Sequence, residues 1–227
     1  MGLEAPSMTA TKLAPLACRW LGRTPYTESW ALQKELLAPI ADGAQPETLL
    51  LVEHEPVITL GRKAGAADNV LDAGDFPVFS IERGGDATYH GPGQLVGYPL
   101  LRLKEGEQDL HRYLRNMEEM LIRVLADFGL EGSRVEGLTG VWVQDRKVAS
   151  LGVAVRRWVT YHGFALNVNP ELAHLGRLNP CGLESAAYAS MSSLLGRPIG
   201  LEEVLLRVLA HLPATLARQP VIPELES

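Results

Sequence analysis

The sequence predicts an α+β fold on three observations. Its β-type runs come in groups, the helical patterns between them do not alternate with single strands, and no linker or repeat divides the chain. Strict strand–helix alternation points to a doubly wound parallel sheet instead. At 227 residues the chain can fill one sizeable core. One domain over 1–227 is therefore expected, with its core at about 13–212. Residues 1–12 read as a loose leader and 213–227, "PATLARQPVIPELES", as a Pro-broken tail.

Taken in order, a first helix is signalled by Thr24 as N-cap and Pro25 at the first helical position, running to about Ala38 before Pro39. Three short β-rich runs follow, "TLLLVEH", "PVITLG" and "FPVFSIE", and then the longer "GQLVGYPLLRL", which carries a proline. The clearest helix covers about Leu110–Phe128, with Asp109 as its cap. Leu110, Tyr113, Leu114, Met117, Leu121, Val124, Leu125 and Phe128 recur at three- and four-residue steps, and Gly129 ends it. "GVWVQ", "KVASLGVAVRR" and "WVTYHGFALNV" read as strands, the first two joined by a turn at Asp145–Arg146. Two helices, about Ser185–Leu195 and Leu201–Leu212, complete the core.

Composition excludes several classes of function. A net charge of −6 argues against nucleic acid as the main partner, because phosphate neutralisation needs clustered Lys and Arg. The two cysteines stand far apart and neither has zinc-site spacing, so no disulfide framework and no metal are expected. The start lacks the basic region and apolar core of a signal peptide, and its Gly2 and Ser7 miss the myristoylation spacing by one place. No apolar run has the length of a membrane span. A cytoplasmic protein with no membrane partner is expected, and there thiols stay reduced.

Against that background Cys181 stands out. It lies between Pro180 and Gly182 in "LNPCGLESAA", before an Ala-rich helical segment, where a packing cysteine is out of place. Upstream, "RGGDATYHGPGQ" sets four glycines and a proline among Arg83, Thr88, Tyr89, His90 and Gln94. Such a loop lets backbone approach a bound molecule, although a Gly-rich turn with incidental polar residues has the same look. "KVASLGVAV" follows Lys147 with the small residues Ala149, Ser150 and Gly152. Strand parity does not decide which face Lys147 uses. His162 precedes a glycine inside a strand pattern, where a satisfied core histidine competes with a catalytic one.

Taken together, "RGGDATYHGPGQ", "KVASLGV", "HGFALNV" and "NPCG", with "PVITLGR" upstream, resemble the LipB family of octanoyltransferases, the lipoyl(octanoyl) transferases, over roughly Leu13 to Leu212. The resemblance implies a mixed sheet flanked by helices, as in the catalytic domain of lipoate and biotin protein ligases. It implies transfer of an octanoyl group from octanoyl-acyl carrier protein to a lysine of lipoyl domains, those of 2-oxoacid dehydrogenase E2 subunits and of the glycine cleavage H protein. By it Cys181 becomes the thioester nucleophile and Lys147 lowers its pKa. Substrate contacts fall on Arg83, Gly84, Gly85, Asp86, Ala87, Thr88, Tyr89 and His90, on Ser150, Leu151 and Gly152, and on Gly163, Phe164 and Ala165. His162 is an auxiliary, and either His90 or His162 can share the base role. No cofactor is implied, and a monomer is expected. An ATP-dependent lipoate or biotin ligase on the same fold, a non-catalytic acyl-binding protein and a cysteine hydrolase are the rival readings.

Overall fold

The computed structural model describes residues 13–179 and 188–222. Its elements are β1 (Ala14–Thr24), α1 (Tyr26–Asp42), β2 (Thr48–His54), β3 (Val57–Leu60), a 3₁₀ turn at Ala66–Asn69, β4 (Val78–Ser80), β5 (Ala87–His90) and β6 (Gln94–Leu100). They continue with α2 (Leu110–Asp127), β7 (Val141–Val143), β8 (Arg146–Arg156), β9 (Val159–Asn167), α3 (Leu172–Leu175), α4 (Met191–Leu195), α5 (Leu201–Leu216) and β10 (Arg218–Val221).

Seven strands form a mixed sheet in the order β10-β1-β2-β6-β9-β8-β7, and a smaller sheet runs β4-β3-β5. The pairings of β1 with β10 and β2 are parallel; those from β2 through β7 are antiparallel. Strand parity divides the apolar runs between two cores. In β2, Leu49 and Leu51 join the buried cluster of α2 and α5, while Leu50 and Val52 join Leu37 and Ile40 of α1. The large sheet therefore has helices on both faces, as expected of a mixed sheet flanked by helices.

The strongest helical pattern is also the best satisfied. Tyr113, Met117, Met120, Leu121, Val124 and Leu125 are buried on α2, and the Asp109 side chain accepts from the Arg112 amide at its start. Elsewhere local signals yield to burial. α1 begins at Tyr26, with Pro25 as the cap residue and Thr24 closing β1, and it runs through Pro39 to Asp42. The proline removes one backbone bond near the helix end, and burial of Ile40 and Ala41 against the sheet outweighs that.

The expected Pro-broken tail is likewise structured up to residue 222. α5 passes through Pro213 with Leu212 and Leu216 buried, and β10 then adds to the sheet edge, where Arg218 pairs with Glu47 and Glu107. α4 starts at Met191, because Ser190 and Ser193 form a capping box there; of the expected Ser185–Leu195 helix, residues 185–187 lie outside the described residues. The β7–β8 turn centres on Gln144 and Asp145, both at positive φ, one residue earlier than expected.

Candidate active site

The Gly-rich stretch is part strand and part loop. β5 takes Ala87–His90 into an antiparallel pair with β3, so residues 83–86 and 91–93 form the loops on either side of it. The loop before β5 packs against β8 and against the turn that follows β3. Gly84 donates its amide to Val153 O at 3.0 Å, and Arg62 and Lys63 donate theirs to Arg83 O and Gly85 O at 3.0 and 3.1 Å. A Cβ on Gly152 would meet Gly84 O at 2.8 Å, and one on Gly61 would meet Arg83 Nη1 at 2.7 Å. The glycines of "PVITLGR" and "KVASLGV" are thus required for this close approach.

The register joins the other two motifs. Ser150 pairs with Ala165, Leu151 with Phe164 and Gly152 with Gly163 across β8 and β9. A cavity of about 420 Å³ opens beside them, within the range that takes small ligands. Lys147, Arg83, Gly85, Asp86, Ala87, Thr88, Tyr89, Ser150 and Leu151 line it. So do residues that motif reading missed: Gly137, Leu138, Thr139, Leu175, Leu178 and Tyr188. These come from a loop, from α3 and the residues just after it, and, for Tyr188, from the segment before α4, whose ordinary sequences carry no local sign of a site. A smaller inner space of about 30 Å³, room for about one water, is lined by His90, Gly152, His162, Gly163, Phe164 and Ala165 together with Tyr26 and Tyr98. Arg83, Thr88, Ser150 and Leu151 border both spaces. Gly84 borders neither and serves as the strap to β8.

Two of the expected contact residues have heavy internal commitments. Asp86 is buried, accepting from Lys63 Nζ, Asn69 Nδ2 and its neighbour's Ala87 amide, each at 2.8 Å. Arg83 is only 6 % exposed and donates through Nη2 to Thr59 O and Oγ1, both at 2.9 Å. Burial brings its guanidinium down to about 10, so it stays a cation at neutral pH.

Three buried histidines belong to this region: His90 and His162 line the smaller space, and His54 bonds to Tyr98, which also lines it. Thr24 O can only accept, so His54 carries its proton on Nδ1 (2.9 Å) and Nε2 accepts from the Tyr98 hydroxyl (2.7 Å). Gln94 donates through Nε2 to Asn167 Oδ1 at 2.9 Å, so its Oε1 accepts from His90 Nδ1 at 2.8 Å. Asn167 in turn donates to Ala189 O at 3.1 Å, which makes a polar string from the Gly-rich stretch to the segment before α4. His162 has φ +56°, its backbone amide is taken by Gln33 Oε1 at 2.8 Å, and its Nε2 lies 3.4 Å from Glu82 Oε2.

Burial lowers all three imidazoles, His54 and His162 to about 4 and His90 well below its usual value. Below the unfolded value near 6.5 the unfolded chain takes up protons that the fold refuses. Stability from these groups is full above about pH 6.5 and is lost as pH falls towards 4. His54 alone contributes about 3 kcal/mol to that loss. Urea midpoints near neutrality and near pH 4.5 should therefore converge in His54→Gln relative to wild type; an unchanged gap would mean that His54 is not held neutral.

Lys147 sits where β8 meets the segment after the undescribed stretch. Its carbonyl accepts from the Ala189 amide at 3.1 Å, its backbone bridges to Tyr188, and its Nζ lies 5.3 Å from the centre of the Trp142 ring. Cys181 itself lies outside the described residues. The buried Cys18 belongs to the core, with its thiol pushed up to about 11 by burial. Among the described residues no group of His, Cys, Asp and Glu could hold a metal ion, and no helix is long and apolar enough to cross a membrane.

Comparisons with known proteins show the family and the fold. Residues 25–213 match the model of the lipoyl protein ligase A/B catalytic domain. The chain belongs to that family. The octanoyltransferase of Syntrophotalea carbinolica is 52% identical over 196 residues, 86% of this chain and 92% of that one, so within the lipoyl protein ligase A/B family this enzyme groups with the octanoyltransferases, which are acyltransferases. The family fold is seen in a lipoate-protein ligase A crystallised with ATP, at a TM-score of 0.73 and 16% identity over 93% of this chain and 88% of that one. A biotin protein ligase from Aquifex aeolicus has the same fold at a TM-score of 0.52 and 17% identity, covering 90% and 69%.

Proposed function

We propose that this enzyme moves an octanoyl group from octanoyl-acyl carrier protein to a lysine of lipoyl domains, in 2-oxoacid dehydrogenase E2 subunits and the glycine cleavage H protein, through a thioester on Cys181. The observation that carries the reading is a shared wall: Leu178 and Tyr188, described residues on either side of Cys181 in the chain, line the cavity that Lys147 also lines. The leucines and tyrosines of that cavity suit an eight-carbon chain.

In the first step the Cys181 thiolate attacks the donor carbonyl, the new C–S bond forms, and the carrier leaves as a thiolate that takes a proton. In the second step the acceptor amine attacks the Cys181 thioester, the C–S bond breaks, and the amine proton passes to the departing sulfur or to Lys147, which is neutral once its ammonium has given its proton to the departing carrier thiolate. The Lys147 ammonium favours the thiolate that starts the cycle, since a free cysteine is only a few per cent ionised at neutral pH. Burial keeps both imidazoles neutral and only weakly basic, and His90 Nδ1 is committed to Gln94, so His90 and His162 act as walls and struts of the site rather than as the base. Mixing the enzyme with octanoyl-acyl carrier protein, without ATP, should add one octanoyl group to Cys181 by intact mass and peptide mapping. No adduct, or one formed only with ATP, overturns the thioester route.

The carrier and lipoyl domains are met by a chain of net charge −6, so local cations must guide them. Arg157 is paired with Asp42 at 2.6 Å and Lys63 with Asp86 at 2.8 Å. Arg62 and Arg156 are exposed, and both oppose the burial that raises the Tyr161 phenol. Transfer from the carrier should fall about tenfold between roughly 0.05 and 0.5 M salt, and less steeply in the Arg62→Gln/Arg156→Gln double variant. A rate indifferent to salt sinks this docking reading.

A further inference from the structure

Far along α2 from the motifs, Glu118 is wholly buried and fully engaged. Its Oε2 receives Arg115 Nη1 at 2.7 Å and Arg134 Nε at 3.1 Å, and its Oε1 receives the Gly140 amide at 3.1 Å. A buried carboxylate is costly to desolvate, and a neutral side chain could serve packing alone. What this one joins is a helix of the core to the loop 134–140. That loop is pinned at its base by the Ser133–Trp142 pair, with bonds of 2.7 and 3.0 Å, and it turns at Val135–Leu138.

Two properties of the loop bear on the reaction. Gly137, Leu138 and Thr139 form one wall of the larger cavity. Gly140 presses on the Lys147 side chain so closely that a Cβ there would stand 2.7 Å from Lys147 Cε and 2.8 Å from the Trp142 ring. The place of the Lys147 stem is thus set by a backbone that Glu118 holds from the other side.

We propose that Glu118 is a positioning residue for the transfer: by holding loop 134–140 it fixes Lys147 through Gly140 and the width of the acyl cavity through Leu138. This rests on the reading of Lys147 and Cys181 given above and adds to it a residue that does not line the cavity. Glu118→Gln keeps the reach to the Gly140 amide but turns an N–H₂ towards two arginines, so the clamp opens without a change of volume. Gly140→Ala displaces the same contact from inside while leaving Glu118 intact.

The test follows iodoacetamide alkylation of Cys181 against pH, and the ratio of octanoyl to decanoyl transfer, at a temperature where melting curves show each variant folded. Both variants should move the alkylation profile upward by at least about half a pH unit, about a threefold loss of rate on the acid limb of the profile. Both should also change the chain-length ratio at least threefold. A Glu118→Gln enzyme that melts earlier but keeps the wild-type profile and ratio shows a purely structural carboxylate and overturns the proposal. Should Glu118→Gln fail to fold, Gly140→Ala decides by the same readings. If Lys147→Met leaves the wild-type alkylation profile in place, the Lys147 reading has failed on its own account, and Glu118 stands or falls by the chain-length ratio.

Discussion

Cys181→Ser is expected to lower octanoyl transfer by at least about a thousandfold and to abolish the octanoyl adduct seen by mass. The change replaces sulfur by oxygen, a near-isosteric exchange that removes the thiolate charge. A hydroxyl near a lysine stays protonated at neutral pH, whereas a thiol needs its pKa lowered by only about two units to become mostly thiolate. Loss of the nucleophile removes the first covalent step, and the bound carrier thioester then has nothing to react with. Cys18 is the control. It lies 5 % exposed in the core, donates to Leu16 O at 3.4 Å, and its raised thiol resists ionisation. Cys18→Ala should retain transfer near the wild-type rate. The reverse pattern, with loss in Cys18→Ala and retention in Cys181→Ser, refutes the nucleophile assignment.

The second large effect is expected of Lys147→Met. Methionine keeps an unbranched apolar stem beside Gly140 and Trp142 and removes only the ammonium. Without that cation the Cys181 thiol should rise by about one to two pH units, and alkylation near neutrality should slow by about threefold to twenty-five-fold. The sign follows from charge: an ammonium stabilises the thiolate, so its loss favours the thiol. Above about pH 9.5 the alkylation rates of variant and wild type should converge, because hydroxide then supplies the anion. Transfer should recover less, since the acceptor amine also loses a group that can take its proton. Superimposable alkylation profiles would detach Lys147 from the thiol.

Much of the fold was readable where one element buries one clean face. The 3.6-residue recurrence of α2 needs no partner to be recognised, and "TLLLVEH" coincides with β2 because a strand buried on both sides reads as a continuous apolar run. β1 was not legible. "APLACRWLGRT" mixes Pro, Gly and two arginines, and it becomes a strand because β2 and β10 pair with it. The prolines of α1 and α5 misled for a related reason: a helix near its end tolerates one missing bond when the next turn is buried.

At the site, Ser150–Gly152 and Gly163–Ala165 were found as separate motifs, and only the register turns them into one surface. Leu138, Leu175 and Tyr188 could not be found, since nothing local distinguishes a cavity wall from any other apolar residue. His90 and His162 carried a double meaning in the sequence that burial resolves towards neutral rings, that of His90 bonded to Gln94.

The strand β10 has a consequence for how this enzyme behaves in a crowded solution. It covers Ala14–Ala17, one end of an eleven-residue strand that would otherwise offer its amides and carbonyls to any passing chain. The covering strand is itself four residues long and carries Pro220, which has no amide to donate, while the opposite edge of the sheet is the three-residue β7. Neither border is a good template for strand addition. Clipping the chain before Arg218 would bare the β1 edge and break the ion pairs that hold this corner to Glu47 and Glu107, so a proteolytic nick there should be read out first as self-association and only later as lost catalysis.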